Sequence, residues 1–300
     1  MHTKKTTDAE KKPAISYYTK QPAVCPFCKK EFPHEEMLSG SGRMIAGELT
    51  DELHRVFEPS ARYGVIYPLI YAVGACPHCH AALLWSDFPA APDQASVDAV
   101  LNDGDARKKA VSVIFPHYDL SRPRTLYDGA AMYYLALLTY EQVSRGYSPT
   151  IKKAIVSLRL AWLSMDVHGV CPNHNFDYIA QVFYRKALFF YQQSLIYEMD
   201  RTESITAISN FGPDIDKNYG YDGVIYLNGL LEFKYGQRED IRQRLTKLDE
   251  CKRSIARIFG LGKSSKAKPG PLLEHSRHLY DSLAKELKEA NIIEFDDDDE

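Results

Sequence analysis

The stretch CPHCH (residues 76–80) repeats a pattern that occurs earlier in the chain as CPFC (residues 25–28). In each pair two residues separate the cysteines, so that both thiolates can point at one metal ion. Two such pairs supply four thiolates, which completes the tetrahedral shell that zinc prefers. The sequence therefore predicts one structural zinc ion per chain, held by Cys25, Cys28, Cys76 and Cys79.

Other interpretations of these cysteines stay open. A thioredoxin-like redox pair needs a single CxxC that opens a helix after a strand, whereas two matching pairs favour shared ligation of zinc or iron. A catalytic zinc ion needs an open coordination position, and four thiolates leave none. His78 and His80 flank the second pair, and replacement of a cysteine ligand by either histidine is an alternative to a simple exposed position.

The remaining features of composition point to a cytoplasmic protein. The first residues carry charges but lack the apolar core of a signal peptide, and Cys171 and Cys251 are expected to be buried thiols that form no disulfide. The formal net charge is only −3, which gives no overall attraction to nucleic acid or to membranes. The uncharged residues 63–86 contain Pro68, two glycines and the second cysteine pair, so they predict a buried strand and not a membrane span.

The order of motifs around the cysteines resembles a bacterial family catalogued as domain of unknown function 2225. The resemblance rests on CPFCKKEF, SGSGRM, TDELHRVF and YPLIYAVGACPHCHAALLWSDF, followed by a tyrosine-rich helical region, and it covers about residues 24–259. It implies a zinc-binding N-terminal part and a tetratricopeptide-like helical part, and it implies no activity. The family usually has glycine where this chain has His80, and such glycines often adopt a positive φ that histidine tolerates better than most residues.

The two cysteine pairs define a small α+β domain, zinc-ribbon-like, over residues 21–90. Within it we predict strands at residues 31–38 and 63–75 and a short helix at residues 49–57, capped by Thr50 or Asp51. Residues 1–20 are expected to be a disordered N-terminus, and residues 91–118 a connecting segment. The charged side chains between the pairs are interpreted as solvated or ion-paired surface.

From Asp119 onward the apolar pattern changes to the helical period of 3.6 residues. Helices are predicted at residues 128–145, 149–166, 174–200, 219–235, 238–259 and 272–290. The segments ending at Asp166 and Asp200 resemble each other at a spacing of 34 residues, the tetratricopeptide period. The predicted fold is therefore mainly α: a tetratricopeptide-like helical hairpin array over residues 119–260, a linker at 261–270, a C-terminal helix at 271–290 and an acidic tail at 291–300.

Charge is concentrated near the end of the chain. Residues 238–268 contain ten basic and four acidic residues, and we predict that Arg238, Arg242 and Arg253 contact a protein partner of acidic character. The acidic tail EFDDDDE is a competing occupant of the same surface. Nucleic acid is the less favoured ligand, because Phe259 is the only aromatic residue among these basic side chains.

Together these features predict a non-catalytic protein–protein interaction scaffold, in which a zinc-stabilised head is joined to a helical array that binds a protein segment. The sequence has no nucleotide-binding glycine loop, nucleophile elbow or HExxH helix. Two alternatives stay open: an enzyme whose site lies between head and helices and uses Asp51 or His54, and nucleic-acid binding by the ribbon. The array at residues 119–260 is expected to fold without the head.

Overall fold

The computed structural model describes residues 13–259 and 268–297, which form eight helices and four antiparallel strand pairs. All of the strands lie in the N-terminal part and all of the α-helices follow them, so the chain is mainly helical with a small β-rich head. The predicted acidic tail lies partly outside the described residues, as do most of the predicted disordered N-terminus and most of the predicted linker. Within the described ranges, no helix is both long and apolar enough to cross a membrane.

The head consists of short hairpins. Strands β1 (Ser16–Tyr18) and β4 (Glu35–Met37) pair with each other, as do β2 (Ala23–Val24) and β3 (Glu31–Phe32), β5 (Ile45–Leu49) and β6 (Arg55–Glu58), and β7 (Val73–Ala75) and β8 (Ala82–Leu84). The first cysteine pair lies in the turn between β2 and β3, and the second lies in the turn between β7 and β8. Each CxxC turn, called a knuckle below, is therefore formed by its own hairpin.

Two local predictions in the head are wrong. The predicted helix at 49–57 is the β5–β6 hairpin, because Thr50 holds a turn instead of capping a helix: its hydroxyl accepts from the amide of His54, and Leu53 has φ 58°. Of the predicted strand at 63–75 only β7 is extended. The preceding Pro68–Tyr71 is a 3-10 helix, since proline fixes φ and lacks the amide hydrogen that a strand would donate.

The segment expected to be a connection contains two helices, α1 (Gln94–Asn102) and α2 (Gly104–Ile114). Asp93 caps α1 by accepting from the amide of Ser96 at 2.8 Å. The apolar periodicity of these two helices is weak in the sequence, because Val100 and Val111 are their only buried apolar residues.

Six further helices follow in the order in which they pack. They are α3 (Leu126–Tyr140), α4 (Pro149–Val170), α5 (Phe176–Met199), α6 (Gly220–Tyr235), α7 (Ile241–Phe259) and α8 (Gly270–Asp297). Each contacts the next, most extensively α4 with α5, and all six predicted helices are present with shifted ends. Cys171 follows α4 and is exposed, contrary to the expected burial, whereas Cys251 on α7 is buried.

Helix α3 joins the head to the array. Gly129 lies so close to the 3-10 helix that a Cβ atom there would come within 2.4 Å of the Ile70 side chain. The Tyr133 hydroxyl donates to the carbonyl of Leu69 in that 3-10 helix. The Thr139 hydroxyl accepts from the amide of Ala82 on β8 at 3.0 Å. One continuous cluster of buried apolar side chains runs from the knuckles through α3 into the later helices, so the head and the array share a core.

Candidate metal centre and adjoining cleft

The four predicted ligand cysteines converge on one point. The sulfurs of Cys25, Cys28, Cys76 and Cys79 all lie within 4.8 Å of one another, with 3.6 Å between Cys25 and Cys79 and 3.6 Å between Cys28 and Cys76. A tetrahedral ion with bonds of about 2.3 Å to sulfur would set its ligands about 3.8 Å apart. The spacing is far longer than a disulfide bond of about 2.05 Å, and the cluster can bind a metal ion.

Both knuckles close with the same hydrogen bonds. In the first knuckle the Cys25 amide donates to the Lys30 carbonyl, and the Lys29 amide donates to the Cys25 carbonyl, both at 3.0 Å. In the second knuckle the Cys76 amide donates to the Ala81 carbonyl at 2.8 Å, and the His80 amide donates to the Cys76 carbonyl at 2.9 Å. The residues after the second cysteines, Lys29 and His80, have φ values of 61° and 54°. His80 therefore occupies the turn position where the family usually has glycine, and its ring lies 3.4 Å from the Tyr118 hydroxyl, outside the cysteine cluster.

The thiols cannot all ionise in the absence of a cation. Hydrogen bonds with Cys25 and Cys79 lower the pKa of the Cys76 thiol far below its usual value, and the backbone amides of His78 and Cys79 add to this effect. Hydrogen bonding to Cys76 raises the pKa of the Cys25 thiol to about 12, and hydrogen bonding to Cys25 raises the pKa of the Cys79 thiol. A divalent ion would displace these shared protons, because the thiolate is the form that binds metal.

Arg107 on α2 holds the second knuckle in place through hydrogen bonds to its backbone. Its buried guanidinium donates to the carbonyl of His80 at 2.9 Å, to that of Cys79 at 2.9 Å and to that of Val100 at 3.0 Å. A cation next to the cluster offsets the negative charge that four thiolates bring to a divalent ion, and such outer contacts hold ligands in place. Arg107 was not predicted as a site residue because it lies in residues 91–118, which were expected to be a connection.

Similarity to known proteins identifies the family of the chain. A family model described as "Uncharacterized protein conserved in bacteria (DUF2225)" matches residues 17–283. The chain belongs to the DUF2225 family. It is 40% identical over 275 residues to a protein of Borreliella burgdorferi described as "Uncharacterized protein", covering 91% of this chain and 98% of that protein. No solved structure matches the chain. The family resemblance predicted from the motifs is confirmed.

A second feature of this DUF2225 protein is a cleft of about 400 Å³ between head and helices. Its walls are the β5–β6 hairpin, the segment around the 3-10 helix, and helices α4 and α5; they include Glu52, His54, Tyr67, Trp162, Asp166 and Tyr184. The volume is typical of a binding site. Four of the charged or titratable side chains that we interpreted as surface, Asp51, Glu52, His54 and Arg55, therefore line this cleft, in the place that the enzyme alternative named.

Glu52 anchors the tip of the β5–β6 hairpin to the helices. It is buried, and it accepts hydrogen bonds from the Trp162 indole at 2.5 Å, from the Tyr184 hydroxyl at 3.1 Å and from the Lys234 ammonium at 3.1 Å. Lys234 also pairs with Asp51 at 2.9 Å. The Tyr235 hydroxyl is a fourth donor to this carboxylate, at 3.4 Å. Since four donors occupy its acceptor positions, Glu52 fixes the wall of the cleft and is not available to a ligand.

His54 is held in one orientation beside the cleft. Its Nδ1 lies 2.5 Å from a carboxylate oxygen of Asp214, and its ring stacks on Trp162 with centroids 4.2 Å apart. Burial would raise the pKa of Asp214, but the hydrogen bond from His54 and the amides of Arg55 and Ile215 hold that pKa below its usual value. The Asp214 carboxylate thus engages Nδ1 of the ring, and no hydrogen bond to another described residue engages Nε2.

Asp166 on α4 is the unpaired acid of the cleft. It is half-buried, and no hydrogen bond or ion pair links its carboxylate to another described residue. Burial raises its pKa to about 6, against a smaller opposing effect of His54. A carboxylate kept in such a place without a partner costs stability and is typical of a functional site.

We expect Asp166→Asn to stabilise the protein at neutral pH. A carboxyl group whose pKa is raised on folding loses stability as the pH increases from its unfolded value to its folded value, here from about 4 to about 6. Asparagine has no charge to bury, so the variant should be about 1–3 kcal/mol more stable at pH 7.5, with a smaller difference at pH 5. Urea unfolding at both pH values measures this. A variant less stable than the wild type at pH 7.5 would contradict the assignment of a buried, unpaired charge.

The predicted partner-binding residues lie elsewhere. Arg238, Arg242 and Arg253 are exposed on or just before α7, and Arg253 pairs with Asp249 one turn away. Other members of the basic stretch are neutralised within the fold, since Arg244 is buried against Glu286 and Lys268 pairs with Asp222. Lys263 and Lys266 lie outside the described residues. The cleft does not include the three arginines, and their contact with a partner stays a prediction.

Proposed function

We propose that this DUF2225 protein is a cytoplasmic, zinc-stabilised scaffold that binds a segment of another protein in the cleft between the β5–β6 hairpin and helices α4 and α5. One zinc ion per chain would be structural, because four sulfurs complete its shell and leave no position for a substrate. The basic face of α7, with Arg238, Arg242 and Arg253, is proposed as a second contact for an acidic part of the same partner.

The observation that carries this proposal is the apolar rim of the cleft. Val56, Val65 and Met165 line the cleft and are 44%, 56% and 42% exposed. Sites for small molecules bury most of their apolar walls, whereas an exposed apolar rim around a polar floor is typical of a surface that another protein covers. Among the described strands β6 pairs only with β5, so the backbone groups of its other edge could bond to an extended segment, apart from the Arg55 amide, which donates to Asp214.

A short segment of the chain connects one wall of the cleft to the metal centre. Tyr67, Pro68 and Leu69 line the cleft, and the 3-10 helix that begins at Pro68 leads within a few residues into β7 and the second knuckle. A bound ion would fix β7 and β8 against α3, and with them this wall. Zinc would thus act on binding by holding the wall in place, without touching the partner.

The proposal is tested with peptides and a matched pair of rim variants. A library of random 12-residue peptides displayed on phage is selected on the immobilised full-length protein, and the affinities of the enriched peptides are measured by fluorescence anisotropy. We expect Val65→Asp to weaken binding at least tenfold, because it places a charge on the apolar rim. Val113→Asp should leave binding unchanged, since Val113 is 80% exposed on α2 and does not line the cleft. Equal binding to the Val65→Asp variant, or failure to enrich any peptide, would contradict the proposal.

Catalysis in the same cleft is a second candidate function, favoured by the Asp214–His54 pair. A carboxylate that orients an imidazole and leaves Nε2 free is an arrangement that general bases use. If a bound peptide were cleaved or modified, with the rate lost on His54→Gln and the affinity retained, catalysis would replace simple binding.

A further inference from the structure

We infer that the cleft accepts a positively charged side chain, lysine or arginine, from the bound segment, with Asp166 as its ion-pair partner. This inference rests on the proposed function, and it adds the chemical class of the residue that enters the cleft. The positive charge of this residue is opposite to the negative charge that is predicted for the partner of the α7 arginines. Those arginines would contact another part of the partner.

The first argument is the balance of charge around the cleft. Asp51 and Glu52 are already paired with Lys234, and Arg55 is engaged by Asp216 at 3.3 Å and by a backbone carbonyl at 2.8 Å. Within the described part of the chain this leaves Asp166 as the acid on the cleft wall that no lysine or arginine pairs with. An ionised group removed from water is costly unless it gains a partner, and an incoming ammonium or guanidinium group supplies one.

The second argument is the hydrogen-bonding chemistry of the Asp166 carboxylate. When ionised, this carboxylate accepts hydrogen bonds only, and among the described residues no donor engages it on the cleft wall. A ligand group that contacts it therefore has to be a hydrogen-bond donor. Lysine offers three N–H donors and arginine five, whereas a carboxylate of the partner offers none and would be repelled by Asp166.

The third argument is the apolar path to Asp166. Val65 and Met165 at the rim and the Tyr67 ring on the wall would pack against the methylene groups of a long basic side chain, which are apolar up to the charged end. Burial raises the pKa of the Tyr67 hydroxyl, and the negative charge of Asp166, which lines the same cleft, adds to this effect. An aromatic ring next to the charge also favours a cation.

The pH dependence follows from Asp166 in a cleft whose other charged or titratable lining residues are Asp51, Glu52, His54, Arg55, Tyr67 and Tyr184. Binding a cation requires the ionised carboxylate, whose pKa is about 6. From pH 5 to pH 7.5 the ionised fraction rises about tenfold, so the affinity for a cation should rise about tenfold over this interval.

The experiment uses small mimics of side chains and the methionine methyl groups as reporters. The protein contains six methionines, of which Met165 lines the cleft, whereas Met199 is 83% exposed and does not line it. The full-length protein with 13C-labelled methionine methyl groups is titrated with n-butylammonium, n-butylguanidinium, n-pentanol and valerate. We expect the two cations to shift the Met165 signal saturably and to leave Met199 unmoved, and we expect at least tenfold weaker effects from the alcohol and the carboxylate.

Two variants separate the carboxylate from general effects of charge. Asp166→Asn should weaken the binding of both cations at least tenfold and abolish the pH dependence. Asp98→Asn, which removes an exposed charge on α1 outside the cleft, should change neither. Equal shifts from valerate, or undiminished cation binding by Asp166→Asn, would overturn the inference.

The outcome for the selected peptides distinguishes this inference from the proposed function. Peptides that lose affinity on Val65→Asp but carry no essential lysine or arginine would leave the scaffold proposal standing and overturn the cationic residue. Cation binding at Met165 without any peptide that depends on Val65 would overturn the scaffold and leave a site for small amines.

Discussion

Replacement of Cys76 by serine is expected to release the metal and to destabilise the whole chain, beyond the loss of order in the head. Cys76 is fully buried directly after β7, and β8, the partner of β7, is bonded to α3 through Thr139. Binding of structural zinc is worth about 10–16 kcal/mol in small zinc peptides, which is comparable to the total stability of a typical domain. We expect the melting temperature to fall by at least about 10 °C.

Differential scanning calorimetry measures this effect, and Cys171→Ser is the matched control. Cys171 is exposed and outside the cluster, so its replacement should leave the transition unchanged. A Cys76→Ser protein that melts with the wild type would show that the cysteine cluster does not stabilise the fold.

A fragment that begins at His117 is expected to be molten or insoluble. Ala130, Ala131 and Leu137 of α3 are fully buried, and α3 is the helix that packs against β7, β8 and the 3-10 helix. Removing the head would expose apolar surface on α3 and leave the hydroxyls of Tyr133 and Thr139 without their head partners, Leu69 and Ala82. The sequence alone led us to expect that residues 119–260 fold independently, and the shared core reverses that expectation.

The comparison is with a chain that begins at Pro13, which keeps the head. Far-UV circular dichroism should show helix in both proteins, whereas cooperative thermal unfolding and near-UV signals should be lost from the shorter one. Cooperative unfolding of the short fragment at the temperature of the longer chain would mean that the array does not need the head.

The metal centre could be predicted because its information is local. Each knuckle is a CxxC turn whose geometry depends on a few consecutive residues, and the convergence of two such turns needs only that both hairpins lie together. The helices after Asp119 were likewise predictable from their apolar periodicity. The start of α3 was placed too late, since the capping box at Thr125 was not recognised. The 34-residue spacing between Asp166 and Asp200 suggested tetratricopeptide repeats, but an arrangement of that type stays a prediction.

The cleft could not be predicted because its parts come from distant segments. Asp214 lies 160 residues from His54, in the connection between α5 and α6, and no local pattern marks it. In the sequence Asp166 was noted only as the end of a repeated segment. Its place in a cleft depends on the β5–β6 hairpin, which lines the same cleft from a distant part of the chain. Thr50 gave a helix-cap signal that is also a turn signal, so the hairpin that forms one wall of the cleft was assigned to the wrong kind of element.

The central claim is that four cysteines hold one structural zinc ion, and metal analysis with X-ray absorption on protein purified without added metal tests it most directly. We predict one zinc ion per chain, with four sulfur neighbours at about 2.3 Å and no nitrogen or oxygen neighbour. Protein free of zinc, or zinc with a histidine or water in its first shell, would contradict the claim.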